Sequence, residues 1–101
     1  MSVRTPWDAP LPPDARVETR VLRFPKRDHP RVVVAVYNPL AVGYKWIHLT
    51  RPVAYHSGDG MPAWVYRAVR TCRAALAAGS VTATELAAVA ERAHAGRGVR
   101  R

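Results

Sequence analysis

The chain has 101 residues, with 16 Lys or Arg against 7 Asp or Glu and a formal net charge of +9. That length holds one domain and leaves too few residues for a second core, while 49% hydrophobic residues exclude wholesale disorder. The single cysteine, Cys72, excludes an intramolecular disulfide and fits a reducing compartment.

Residues 1–14 contain Pro6, Pro10, Pro12 and Pro13. Proline fixes φ and removes donors, so an extended arm is expected here rather than a regular element. Its opening, "MSVRTPWDAP", has no apolar leader core, and no apolar run reaches the ~18 residues that span a bilayer. The chain therefore reads as a cytoplasmic protein. Trp7 stands out on the polar arm as a side chain that docks on its own domain or on a partner, with docking at home the stronger expectation.

Residues 15–24, "ARVETRVLRF", alternate as a strand. Val17, Thr19, Val21 and Arg23 fall on one face; Glu18, Arg20, Leu22 and Phe24 fall on the other. Residues 31–37, "RVVVAVY", form a continuous β-branched run that suits a central strand covered on both sides. Residues 44–50, "YKWIHLT", predict a third strand, with Tyr44, Trp46, His48 and Thr50 opposite Lys45, Ile47, Leu49 and Arg51. "NPLAVG" connects the second and third strands, and the three read as an antiparallel meander.

Residues 51–60 read as a loop that leads into a helix, with Asp59 as N-cap and Pro62 in the first turn. From about Pro62 to Ala78 apolar residues recur at helical steps: Val65, Val69, Cys72 and Leu76, widened by Trp64, Ala68 and Ala75. Gly79 closes this helix. Thr82 followed by Glu85 forms a capping box that opens a second helix, whose apolar face is Leu86, Val89, Ala90 and Ala93. Residues 96–101 are expected to fray as a basic tail. Strands followed by helices give the α+β class: a three-stranded antiparallel meander with a C-terminal αα-hairpin packed on one face, forming one domain over residues 15–95.

The charge points first to a polyanion. Lys26, Arg27, His29 and Arg31 lie on or beside the first hairpin loop, "FPKRDHPR"; Arg67, Arg70 and Arg73 share a helix face; Arg97, Arg100 and Arg101 end the chain. Phosphate binding needs several cations and tolerates flexible presentation. The plainer reading is a solvated surface on a chain from a GC-rich genome, whose arginine- and alanine-rich composition resembles small actinobacterial or phage proteins. Tyr44, Trp46 and His48 alternate on the third strand and would make a stacking platform if the helices leave that face open. Periodicity sends the interleaved Lys45 and Arg51 to the opposite face, which favours a core or self-association role for the aromatics.

A helix-turn-helix fits the αα-hairpin poorly, because Leu86 and Val89 fall one position after that motif's buried sites. Tyr55, His56, Ser57 and Asp59 cluster in one loop and Cys72 lies on the first helix, yet no spacing orients a nucleophile. A cysteine on an apolar stripe is usually a small hydrophobe. The histidines and the cysteine have no metal-ligand spacing, so neither enzyme activity nor a cofactor is expected. The leading expectation is a small nucleic-acid-binding or nucleic-acid-associated regulatory protein. The rival is a non-enzymatic interaction module that docks on a host factor or virion component through Trp7, Tyr44, Trp46 and His48. A homodimer is compatible with either, and a membrane partner is not expected.

Overall fold

The β-branched run at the middle of the sequence becomes the middle of a sheet. In a computed structural model that describes residues 5–26, 29–55 and 60–96, β2 (Arg31–Tyr37) is flanked on one side by β1 (Arg16–Leu22). On its other side lie β3 (Trp46–His48) and β4 (Val53–Ala54). All pairings are antiparallel. Helices α1 (Ala63–Ala78) and α2 (Ala83–Gly96) follow and pack with the sheet. The α+β class and the meander order agree with the sequence reading.

Register assigns the two faces. Val17 lies opposite Val36 and Ile47, Thr19 opposite Val34, and Val21 opposite Val32 and Val53. Val32, Val34 and Val36 belong to the hydrophobic core with Trp64, Val65 and Leu86, so this face lies under the helices. The other face carries Arg16, Glu18, Arg20 and Leu22 from β1, Arg31, Val33, Ala35 and Tyr37 from β2, and Trp46 and His48 from β3. Helix α1 buries Trp64, Val65, Ala68, Val69 and Cys72, the stripe expected from spacing.

Two expectations about the third strand are corrected. Residues 44–50 were expected to be a strand and 51–60 a loop. Instead β3 keeps only Trp46–His48, and Val53–Ala54 returns to β2 as a short strand. Between them Leu49 to Pro52 pass opposite just Val33 and Val34, a bulge. The Leu49 amide still donates to the Val34 carbonyl at 2.7 Å. The Val34 amide finds no backbone acceptor there and donates instead to the buried Thr50 hydroxyl at 3.0 Å. A side chain thus replaces one rung of the ladder, and the chain regains pairing beyond Pro52, whose nitrogen has no proton to give.

Helix α1 also starts differently from expectation. Pro62 holds the N-cap place without a side-chain hydrogen bond, and Asp59 lies outside the described residues. Gly79 takes φ 89° at the C-cap, a conformation that favours glycine, and its amide donates to the Leu76 carbonyl at 3.1 Å. The capping box forms as expected. The Glu85 amide donates to the Thr82 hydroxyl at 3.2 Å, and the Thr82 amide donates to the Glu85 carboxylate at 2.8 Å.

The proline arm docks. Leu11 is in the core, and Trp7 packs half-buried against it. The Leu11 amide donates to the Val81 carbonyl at 2.7 Å, and the Asn38 amide nitrogen Nδ2 donates to the Pro6 carbonyl at 3.3 Å.

Candidate nucleic-acid interface

The helices leave one sheet face uncovered, and on it arginines from β1 meet aromatics from β2 and β3. Arg16 is the cross-strand neighbour of Tyr37, and its guanidinium carbon lies 4.5 Å from the Tyr37 ring centroid. Arg20 is the neighbour of Val33, yet its guanidinium carbon lies 4.7 Å from the Trp46 centroid on the far strand. The side chain therefore crosses β2 above Ala35, which explains why Val33 and Ala35 are fully buried on a face without helices. Tyr37 and Trp46 pack 5.2 Å apart at 57°.

This arrangement alters the stacking idea. The rings are half-buried and carry guanidinium groups, so bare aromatic platforms are not what the face presents. A guanidinium held flat over a ring keeps its edge N–H groups directed outward, and its position is fixed before any ligand arrives. Those edges suit phosphate oxygens. Glu18 lies between the two arginines on β1 and approaches Arg16 Nε at 3.9 Å, an exposed and weak pair. His48 is exposed at one margin of the face. Arg31, paired with Leu22 and Ala54, marks its opposite end.

The other expected cations are placed unequally. Lys26 is exposed on the first hairpin loop, beyond the Leu22–Arg31 end of this face. His29 is exposed on the same loop; Arg27, Arg97, Arg100 and Arg101 lie outside the described residues. Arg67 donates from Nε and Nη2 to the Ala93 carbonyl, both at 3.4 Å, and so ties α1 to the last turn of α2. Arg73 donates from Nε to the Val17 carbonyl at 2.9 Å. Arg70 is exposed beside it. Arg70 and Arg73 face the outer edge of β1 from the helix side, so β1 is bracketed by arginine on both sides and the α1 arginines do not join Arg16 and Arg20 on one plane.

Arg16, Arg20 and Tyr37 were absent from the sequence-derived site. The strand alternation already set Arg20 apart from the core side of β1, but only the β1–β2 register puts Arg16 beside Tyr37. Lys45 and Arg51 are not the cations of this face; β1 supplies them. Tyr44, expected to alternate with Trp46, instead lies in the β2–β3 loop and is 84% exposed.

That loop is built on Asn38, which is fully buried. Its amide donates to the Lys45 carbonyl at 2.7 Å, its Oδ1 accepts from the Leu40 amide at 3.0 Å, and its carbonyl accepts from the Ala41 amide at 3.1 Å. Ala41 points inward, while Leu40, Val42 and Tyr44 are exposed around Gly43, whose φ is 91°.

The catalytic cluster considered from sequence does not assemble among the described residues. His56, Ser57 and Asp59 lie outside them, and Tyr55 packs against the core. Cys72 is buried, its Sγ lies 3.6 Å from the Leu86 carbonyl as a donor, and burial pushes its thiol up from 9.0 to about 11. A thiol so protonated at neutral pH is a poor nucleophile. Among the described residues no group of three or more His, Cys, Asp or Glu could hold a metal, and no helix is long and apolar enough to cross a membrane. Comparison with protein-family models, with curated proteins and with solved structures gives no match.

Proposed function

We propose that the protein binds nucleic acid, mainly through its phosphates, on the open sheet face. The observation that carries this reading is the pair of arginine–aromatic stacks, Arg16 on Tyr37 and Arg20 on Trp46. They place two guanidinium groups on a face that the helices leave free. Lys26 and Arg31 extend the positive surface toward the first hairpin loop, and the net charge of +9 steers a polyanion to it. The contacts are to backbone phosphate, so binding is steeply salt-dependent and weakly sequence-selective.

Titration of the purified protein with random duplex and single-stranded DNA and RNA over a salt series tests this. Arg16→Glu with Arg20→Glu should weaken binding by more than roughly tenfold at low salt. The exposed Arg92→Glu on α2 is the control for loss of charge away from the face. Absence of binding at low salt overturns the proposal, as does equal weakening by the control and the double variant.

A second reading is favoured by one specific observation, the apolar loop carrying Leu40, Val42 and Tyr44. A rigid loop with three exposed apolar side chains suits a protein partner, in which such residues fill a pocket. In that reading Leu40→Ser with Tyr44→Ser abolishes capture of the partner and leaves nucleic-acid titrations unchanged.

A further inference from the structure

We propose that β1 pairs with β1 of a second copy of this chain, antiparallel, about a two-fold axis at Thr19. The two sheets then form one continuous sheet, with the open faces side by side.

The first ground is the state of the edge. On β2, the Val34 and Asn38 backbone groups bond toward β3, so the odd-numbered residues of β2 face β1. Their partners on β1 are the even-numbered residues, which leaves the N–H and C=O groups of Val17, Thr19 and Val21 directed outward. Arg73 takes the Val17 carbonyl, as that geometry requires. β1 is seven residues long and contains no proline. Exposed strands of this kind are usually blunted by charge, proline or a bulge. Here the side chains beside the edge on the helix side include Val21 and Tyr66, both exposed.

The second ground is room. Two clefts follow this edge. One, of about 330 Å³, includes Pro13, Val17, Arg73 and Leu76; the other, of about 480 Å³, is lined by Thr19, Tyr66, Val69, Arg70 and Arg73. The Arg73 side chain stands where they meet. Its bond to Val17 uses one of two lone pairs on that carbonyl, so the oxygen keeps a site for a strand amide.

The third ground is register, and it selects the occupant. Outward groups pair only with outward groups, so the two-fold lies at residue 18, 19 or 20 if most of the strand is to pair. At 18 it sets Glu18 against Glu18 and Arg16 against Arg20. At 20 it sets Arg20 against Arg20. At Thr19 all seven residues of β1 pair, Val17 meets Val21, and Glu18 lies opposite Arg20 twice. The one arrangement that pairs the whole strand is also the one that opposes unlike charges.

The net charge of +9 on each copy opposes association, and salt screens that repulsion, with a Debye length of about 8 Å at physiological ionic strength. Salt therefore strengthens the dimer and weakens phosphate binding, so the two proposals respond to it with opposite signs.

Sedimentation equilibrium of the full chain, free of nucleic acid, over a concentration and salt series is the test. A dimer is expected, strengthened by salt. Thr19→Pro removes only an outward N–H, which an edge strand tolerates, and should weaken the dimer by more than roughly tenfold through two lost hydrogen bonds. Glu18→Arg should weaken it by roughly tenfold, and Glu18→Arg combined with Arg20→Glu should restore it, because opposite charges again face each other. Amide exchange at Thr19 and Val21 should slow as concentration rises. A monomer at hundreds of micromolar, or a dimer indifferent to both Thr19→Pro and the charge exchange, overturns the proposal and leaves the titrations of the open face unaffected.

Discussion

The two edges of the sheet are built in opposite ways from similar apolar material. On the β3–β4 side the chain breaks its own ladder, with two short strands, a bulge, Pro52, and a threonine hydroxyl in place of a carbonyl. On the β1 side seven residues run without interruption, and only Arg73 reaches the edge from outside. A broken edge offers no consistent row of donors and acceptors to a visiting strand, while a regular one does. The difference shows that β pairing in this protein is regulated by where the ladder is interrupted rather than by how apolar the strands are.

Hydrogen exchange on dilute protein sharpens this contrast most. The Val34 amide, bonded to the buried Thr50, should exchange orders of magnitude more slowly than the outward amides of Thr19 and Val21. Comparable rates at all three would remove the distinction between the edges. Next in size is Asn38→Ala. This substitution removes the side-chain bonds to Pro6 and Leu40 and should cost about 2–3 kcal/mol in denaturant unfolding. Thr50→Val strands the Val34 amide without an acceptor and should cost about 2 kcal/mol; a cost near zero would mean that the bulge relaxes to pair Val34 with backbone.

On the open edge, Arg73→Ala should cost only about 1 kcal/mol, because the Val17 carbonyl can turn to water. The smallest effect lies in the core shared by both edges. The Cys72 thiol keeps its proton to about pH 11 when folded and to 9.0 otherwise. Between those values the native state holds more protons than the unfolded state, so stability falls as pH rises through that window. Cys72→Ala should flatten this decline relative to the parent, as measured by thermal unfolding at pH 8, 9, 10 and 11.

Much of the fold was legible because its signals are local. Helical spacing at Val65, Val69 and Cys72, the Thr82–Glu85 capping box and the β-branched run of β2 each act within a few residues. The bulge was not, since nothing near Thr50 announces that its hydroxyl will serve Val34. The site was legible only in part for the same physical reason. Trp46 was singled out, but the cations beside it lie on another strand and reach it across β2, so the site depends on register between strands distant in sequence. Arg67 and Arg73 illustrate the converse. As a row of helix charges they suggested ligand contacts, yet each is occupied with a carbonyl of its own protein.

The bond between the Leu11 amide and the Val81 carbonyl bears on how the chain reaches its native state. The arm leaves the ribosome first, and the connection between α1 and α2 that receives it leaves among the last residues. Trp7 and Leu11 therefore wait, uncovered, while the sheet forms behind them, because a contact so distant in sequence closes late. During synthesis these two side chains are exposed apolar surface that a chaperone could shield. Completion of the core is thus timed by the arrival of the C-terminal hairpin.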